Sequence, residues 1–303
     1  MSSLIGKATE RWSLARAVDA LAESARQSGR PGLVWLVGIF YPSVITGLSL
    51  VFALGLEIGS GRGASSSYAL LVLGGIPLIL CLGVCVLPLF RLVAGLARVA
   101  PGWAWKEARD ARRVPRLRVL WRSGAGMTAS AFALWAFLVA SVGLTAAVLV
   151  WPIEAVTRPL RGEFGSGDVA PFLLAALVIG PLVAVGAAYV LSLFALTQLA
   201  LHSLAHNRRG IGSAMLHAWR ILRHDVTASV RAIVVDVLLT VAIVCVSTLV
   251  AGVSPFDWLD WMVGLVLGGF AGVTRAAYWA RAYRALGGLA PDDGVPGLPQ
   301  SAL

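Results

Sequence analysis

Charged side chains are scarce in this sequence. Lys, Arg, Asp and Glu make up 13% of the 303 residues and hydrophobic residues 58%, whereas a soluble domain carries about 25% charged residues. Mean hydropathy is correspondingly high, at +0.82. The composition therefore indicates an integral membrane protein. The net charge of +10 calls for a membrane explanation before a nucleic-acid one.

Paired cysteines and catalytic motifs are also lacking. Cys81, Cys85 and Cys245 lie in apolar runs without a C-x-x-C motif, so neither disulfides nor a zinc site is implied. Cys81 and Cys85 are one helical turn apart in a predicted span, and we expect them to be small packing residues. The sequence has no G-x-S-x-G, H-E-x-x-H or Walker lysine, which weighs against an enzyme. We expect no catalytic residue and no cofactor. A membrane-embedded enzyme without a recognisable motif stays open. The first 30 residues are polar and amphipathic and contain no apolar segment of the kind found in signal peptides, so no cleavable signal peptide is predicted.

Long apolar runs are what the sequence does contain, and a bilayer core needs roughly 20 apolar residues per helix. The predicted fold is all-α, a single integral membrane domain over residues 1–303 that forms a polytopic bundle of six transmembrane helices. Residues 289–303 are expected to be a disordered tail. The six predicted spans are residues 33–56, 69–90, 127–151, 171–200, 232–254 and 258–280.

Basic residues set the predicted orientation. With both termini cytoplasmic, only Arg62, Arg158 and Arg161 of the 25 Lys and Arg residues lie outside, which is a strong positive-inside signal. Aromatic–basic neighbours such as Trp103 and Lys106 fit a headgroup belt better than base stacking, so no nucleic-acid partner is expected. Two lysines against 23 arginines indicate a high-GC bacterium, and hence a bacterial cytoplasmic membrane.

A unit of one amphipathic stretch and two spans recurs three times. The stretches are "ERWSLARAVDALAESAR" (10–26), "WAWKEARDARRVPRLRVLWR" (103–122) and "HSLAHNRRGIGSAMLHAWRILRHD" (202–225). We expect each to form a cytoplasmic amphipathic helix on the anionic inner leaflet. The apolar stripes of the first and third stretches are Leu14, Val18, Leu21 and Ala25, and Ile211, Met215, Ala218 and Leu222. The predicted hairpin units are about 8–98, 99–206 and 207–288.

One carboxylate lies inside a predicted span. Asp236 lies about one helical turn inside the fifth predicted span, after Arg231. A charge in lipid costs several kcal/mol unless it is paired. We hypothesise an intramembrane ion pair of Asp236 with Arg231 or Arg275; the alternative is a proton or cation site. Four prolines are candidate helix kinks: Pro42, Pro77, Pro88 and Pro181.

All four histidines lie between residues 202 and 225. His202 and His206 are one turn apart and are the candidate metal ligands. No Asp, Glu or Cys between residues 169 and 224 completes a ligand shell, and Arg208 and Arg209 follow directly. We therefore expect no metal site. A metal or haem site and a pH-sensing role remain the alternatives.

Three segments carry resemblances to known families. "GGIPLILCLGVCVLPLFRLVAGLARV" (74–99) and the paired spans over 30–206 resemble the actinobacterial sensor membrane domain, which stands alone or before histidine kinases. This sequence differs by its third hairpin and by the lack of a kinase domain. "SAMLHAWRILRHDVTASVRAIVVDVLL" (213–239) and "AYWARAYRALGG" (277–288) resemble the six-span family related to the membrane domain of glycerophosphodiester phosphodiesterases. Neither resemblance implies catalytic residues.

Together these features favour a non-enzymatic membrane module for sensing, regulation or complex assembly. Its expected partners are the lipid bilayer and a protein, which would be a cytoplasmic ATPase, a kinase or regulator, or a second copy. The alternative is the transmembrane permease subunit of an ABC-type exporter, or another transporter. "SPFDWLDWMVGL" (254–265) resembles the outer turn before the last span of such permeases.

Overall fold

A computed structural model describes residues 12–29, 34–39, 87–100, 116–163, 170–207, 209–253 and 257–288. None of these residues forms a β-strand, so the predicted all-α class is confirmed for them. The helices are α1 (Leu14–Ser28), α2 (Val34–Gly38), α3 (87–100), α4 (Leu117–Ser123), α5 (Thr128–Glu163), α6 (Ala170–Asn207), α7 (Ile211–His224), α8 (Val226–Val253) and α9 (Asp257–Ala285).

Two stretches of the described chain, Ala176–Asn207 and Val226–Val250, are long and apolar enough to cross a membrane. A third arises if Leu117–Ser123 and Thr128–Val142, which meet at 87°, count as one broken span. These helices confirm a membrane-type protein. Six spans in three hairpins stay a prediction. The predicted spans 33–56 and 69–90 lie mostly outside the described residues.

The membrane-length helices turn large apolar side chains outward. Leu144 on α5, Leu177 on α6 and Leu249 on α8 are 67%, 73% and 70% exposed. Lipid tails are as apolar as leucine, so this exposure costs nothing in a bilayer, and small residues can take the helix contacts. The pattern is that of helices that face lipid.

The chain divides into two compact units. The first contains α1 to α4, residues 128–134 of α5, residues 195–207 of α6, and α7 to α9. The second contains residues 135–163 and 170–194, where the Trp135 ring meets the Phe194 ring with centroids 6.5 Å apart. The histidines and the candidate ion-pair residues all belong to the first unit.

Helix α9 lies at the centre of the first unit and packs against α1, α2 and α8. The α2 contact depends on glycine, because a Cβ atom at Gly38 or Gly272 would overlap the backbone of the other helix. Next to this crossing, the Trp35 ring meets the Phe270 ring edge-on at 5.8 Å. Close approach through small residues is the usual way for helices to associate in membranes.

A second close approach positions α4 against α3. Gly95 lies against the carbonyl oxygen of Leu120. The Arg91 Nε donates to the carbonyl of Trp121 at 2.8 Å, and its guanidinium lies 4.3 Å from the centroid of the Trp121 ring. Gly126, with φ of +80°, supplies the left-handed backbone that the turn into α5 requires.

Most of the side chains that α1 and α7 bury are small, the larger ones being Gln27 on α1 and Ile221 on α7. The buried residues include Ala17, Ser24 and Ser28 on α1, and Ala214, Ala218 and Ile221 on α7. Leu14 and Val18, which belong to the predicted stripe of α1, are half exposed, and so are Leu216 and Trp219 on α7. Small residues face the protein because they allow close packing, and several larger apolar residues of both helices stay exposed.

Candidate functional site

Asp236 and Arg275 form a buried ion pair between α8 and α9. The Arg275 Nε donates to Asp236 Oδ1 at 2.6 Å. The Arg275 side chain is 4% exposed and the Asp236 side chain is 7% exposed. The Arg275 Nη2 also donates to Thr240 Oγ1. The Thr240 hydroxyl donates to the backbone carbonyl of Asp236, one turn earlier, at 3.1 Å. The carboxylate is thus neutralised inside the bundle by a neighbouring helix.

Arg231 does not take part in this pair. Its Nη1 donates to the backbone carbonyl of Trp12 at 3.2 Å. Five residues separate Arg231 from Asp236, which places them about 140° apart around the helix. Helix α8 also begins earlier than predicted, at Val226 after Asp225, whose Oδ1 accepts from the backbone N–H of Ala228 at 2.9 Å. Asp236 therefore lies about 15 Å into the helix, deeper than the one turn expected from the sequence.

A second ion pair, which the sequence did not predict, joins α1 to α9. The Arg281 Nη1 donates to Glu23 Oε2 at 2.7 Å and to the backbone carbonyl of Ala20 at 3.3 Å. The Trp12 ring lies 6.2 Å from the Tyr278 ring, and the Tyr278 hydroxyl donates to the carbonyl of Ala232 at 3.0 Å. Together with the Arg231 bond, these contacts connect α1 to both α8 and α9.

His202 and His206 lie together on α6, with nearly parallel rings and centroids 6.1 Å apart. The Tyr283 ring of α9 stacks on His202 at 5.9 Å. The His206 Nε2 lies 3.2 Å from the carbonyl oxygen of Ala97, so in the neutral ring this nitrogen is the donor. The Nδ1 atom is then the acceptor of the His206 ring. Within the described ranges, no group of three or more His, Cys, Asp or Glu could hold a metal ion.

His217 joins the same region from α7. Its Nε2 lies 3.3 Å from the carbonyl oxygen of Gly288, and the Tyr283 hydroxyl accepts from Asn207 Nδ2 at 3.0 Å. Burial lowers the pKa of His217, and the positive charges of Arg209 and Arg220 add to this, whereas the bond to Gly288 opposes it. His217 is therefore neutral at pH 7. The fourth histidine, His224, is exposed.

The prolines and cysteines named in the sequence predictions do not cluster at one site within the described residues. Pro181 lies inside α6, which continues as one helix to Asn207. Pro88 lies in α3, near the start of its described residues. Cys245 is exposed on α8. Pro42, Pro77, Cys81 and Cys85 lie outside the described residues, as does the predicted tail 289–303.

The chain matches no family model, no curated protein and no solved structure.

Proposed function

We propose that this chain is a non-enzymatic membrane module for sensing, regulation or complex assembly, in which α1 communicates with the membrane helices α8 and α9. The contacts of α1 carry the proposal. Its start is held to α8 through the bond from Arg231 to Trp12, and its middle is held to α9 through the pair of Arg281 with Glu23. These arginines lie on the two helices that share the buried pair of Asp236 and Arg275.

One side of α1 is exposed among the described residues. Val18, Asp19 and Arg26 lie on it, which gives this helix a mixed charged and apolar surface. A lipid headgroup layer or a protein that contacts this surface would pull on α1. Because both ties of α1 lead to α8 and α9, such a contact biases the packing of the membrane helices.

The proposal includes the orientation inferred from the sequence. Both termini and α1 lie on the cytoplasmic side of a bacterial cytoplasmic membrane, and six spans form three hairpins. Two features support it: the concentration of Lys and Arg in the predicted inner segments and the 87° angle between α4 and the start of α5. A helix at that angle to a membrane span lies along the membrane surface.

The coupling is tested by loosening α1 and following the membrane helices. The Glu23→Gln variant weakens the pair with Arg281, and Asp19→Asn removes a carboxylate from the exposed side of the same helix. Hydrogen–deuterium exchange in bilayer nanodiscs should rise in α1 and around Asp236 for Glu23→Gln. It should stay at the wild-type level for Asp19→Asn. A rise confined to α1, or an equal response of the two variants, would contradict the coupling.

A second experiment separates a regulatory module from a transporter subunit. The full-length protein is cross-linked in its native membranes, purified, and its partners are identified and quantified by mass spectrometry. A kinase, a regulator or a second copy at near-equal amounts is the expected result. A stoichiometric ATPase would replace the proposal with an ABC-type permease.

A further inference from the structure

Helix α6 carries buried polar atoms for which the described part of the chain offers no hydrogen-bond partner. Gln198 and His202 are each 1% exposed. The unpartnered atoms on this helix are the Gln198 Oε1 and Nε2, the His202 Nδ1 and the Ser203 Oγ. Buried polar groups in native proteins nearly always have a partner in protein or in ordered water. These groups therefore point to a molecule that is bound between them.

The two residues belong to one continuous polar face of the helix. Gln198, His202 and His206 follow one another at intervals of four residues, so their side chains lie on the same side of α6. From Gln198 to His206 the helix rises about 12 Å. His206 and Asn207 at the end of this face are only partly buried. The polar face of α6 thus leads from the interior of the first unit toward the end of the helix.

The chemistry of the unpartnered atoms selects the ligand. The Gln198 amide offers N–H donors and a carbonyl acceptor, and the His202 Nδ1 donates or accepts according to its tautomer. A cation would satisfy the Gln198 carbonyl but leave the amide N–H groups unpaired, and an anion would leave the carbonyl unpaired. Water both donates and accepts, and it is the usual partner of buried polar groups that lack one.

We propose that Gln198 and His202 form an internal water-binding site on α6, hydrated from the end of the helix past His206. The site is independent of the α1 contacts and of the proposed function. It brings solvent about 12 Å along a membrane-length helix, and it makes His202 the deepest titratable group on this face that solvent reaches.

The site is tested by solid-state NMR of the full chain in lipid bilayers. The chain has four histidines, so 15N labelling of histidine gives a spectrum with few signals, and the His202→Phe variant assigns one of them. Polarisation transfer from water to the His202 ring nitrogen is the expected result. The absence of such transfer in the wild-type protein would overturn the proposal.

A variant with a matched control tests the role of Gln198. Gln198→Leu removes both unpartnered amide atoms at similar volume, and Leu199→Met is an apolar exchange at a neighbouring buried position. Gln198→Leu should weaken water transfer to His202, while Leu199→Met keeps the transfer. An unchanged transfer in Gln198→Leu would show that Gln198 holds no water.

Discussion

Replacing Asp236 by Asn should destabilise the protein because it removes the carboxylate charge that faces the buried Arg275 guanidinium. Removing one partner of a buried ion pair costs about 3–5 kcal/mol. We expect about 3 kcal/mol, at the lower end of that range, because the Asn carbonyl still accepts from the Arg275 Nε. That free energy corresponds to roughly a hundredfold decrease in the folding equilibrium constant.

Two further variants distinguish loss of charge balance from loss of packing. Thr240→Val removes one neutral hydrogen-bond acceptor from Arg275 and should cost about 1 kcal/mol. The double variant with Asp236→Leu and Arg275→Met replaces the pair by apolar side chains. It should recover most of the lost stability, as replacements of buried pairs often do.

The assay is reversible unfolding in mixed micelles, followed by tryptophan fluorescence, with the coupling free energy taken from the double-mutant cycle. Added salt should change the wild-type unfolding midpoint little, because both charges are shielded from solvent. A midpoint of Asp236→Asn equal to that of the wild type would refute the reasoning. The reasoning would also be refuted if the double variant lost as much stability as Asp236→Leu and Arg275→Met lose together when each is made alone.

Three other predictions concern the first unit. Gly272→Ala places a Cβ against the α2 backbone and should lower the free energy of unfolding by about 1–3 kcal/mol. The control, Gly264→Ala on the same helix, meets open space and should leave that free energy unchanged or raise it. A lower unfolding midpoint for Gly264→Ala than for Gly272→Ala would contradict the close approach. The pKa of His217 in the folded protein lies below its ordinary value of 6.5, so the unfolded state binds more protons at acidic pH. The stability that this group contributes is therefore present above pH 6.5 and is lost as the pH falls from there toward the folded pKa. Unfolding midpoints of wild type and His217→Asn, compared from about pH 5 to 7.5, should show a smaller decrease on acidification for the variant, and parallel curves would exclude this contribution. Tyr283→Phe removes the acceptor of the Asn207 bond and should cost about 1 kcal/mol by the same assay, and an unchanged midpoint would show that the bond adds no net stability.

The sequence predicted helix type and approximate position well where apolar runs are long. The predicted spans 171–200 and 232–254 correspond to α6 and α8. Helix α6 continues past the end of its predicted span, to Asn207, and α8 begins before its predicted span, at Val226, because the amphipathic residues beside each run continue the helix. Composition defines the part of a helix that suits lipid, and the backbone hydrogen bonds and caps define its ends. Asp225 shows this for α8, since its side chain accepts at the first turn.

The candidate site was predictable only in part. Asp236 stands out because a carboxylate within an apolar run must find a partner, yet the choice between Arg231 and Arg275 depends on helix phase and on which helix packs alongside. The pair of Arg281 with Glu23 could not be found in this way. Periodicity indicates the polar face of each helix, but it carries no information on which distant polar face will meet it.

The separation of Glu23 and Arg281 has a consequence for the order of events during biosynthesis. A ribosome that adds about 5–20 residues per second needs about 13–50 s for the 258 residues between them. Throughout that interval the side of α1 that later packs on α9 has no partner. With the proposed orientation, the nascent helix rests on the membrane surface until α9 emerges. A ribosome stalled before α9 would leave α1 in that waiting state, with its serine-rich side accessible to proteases and chaperones.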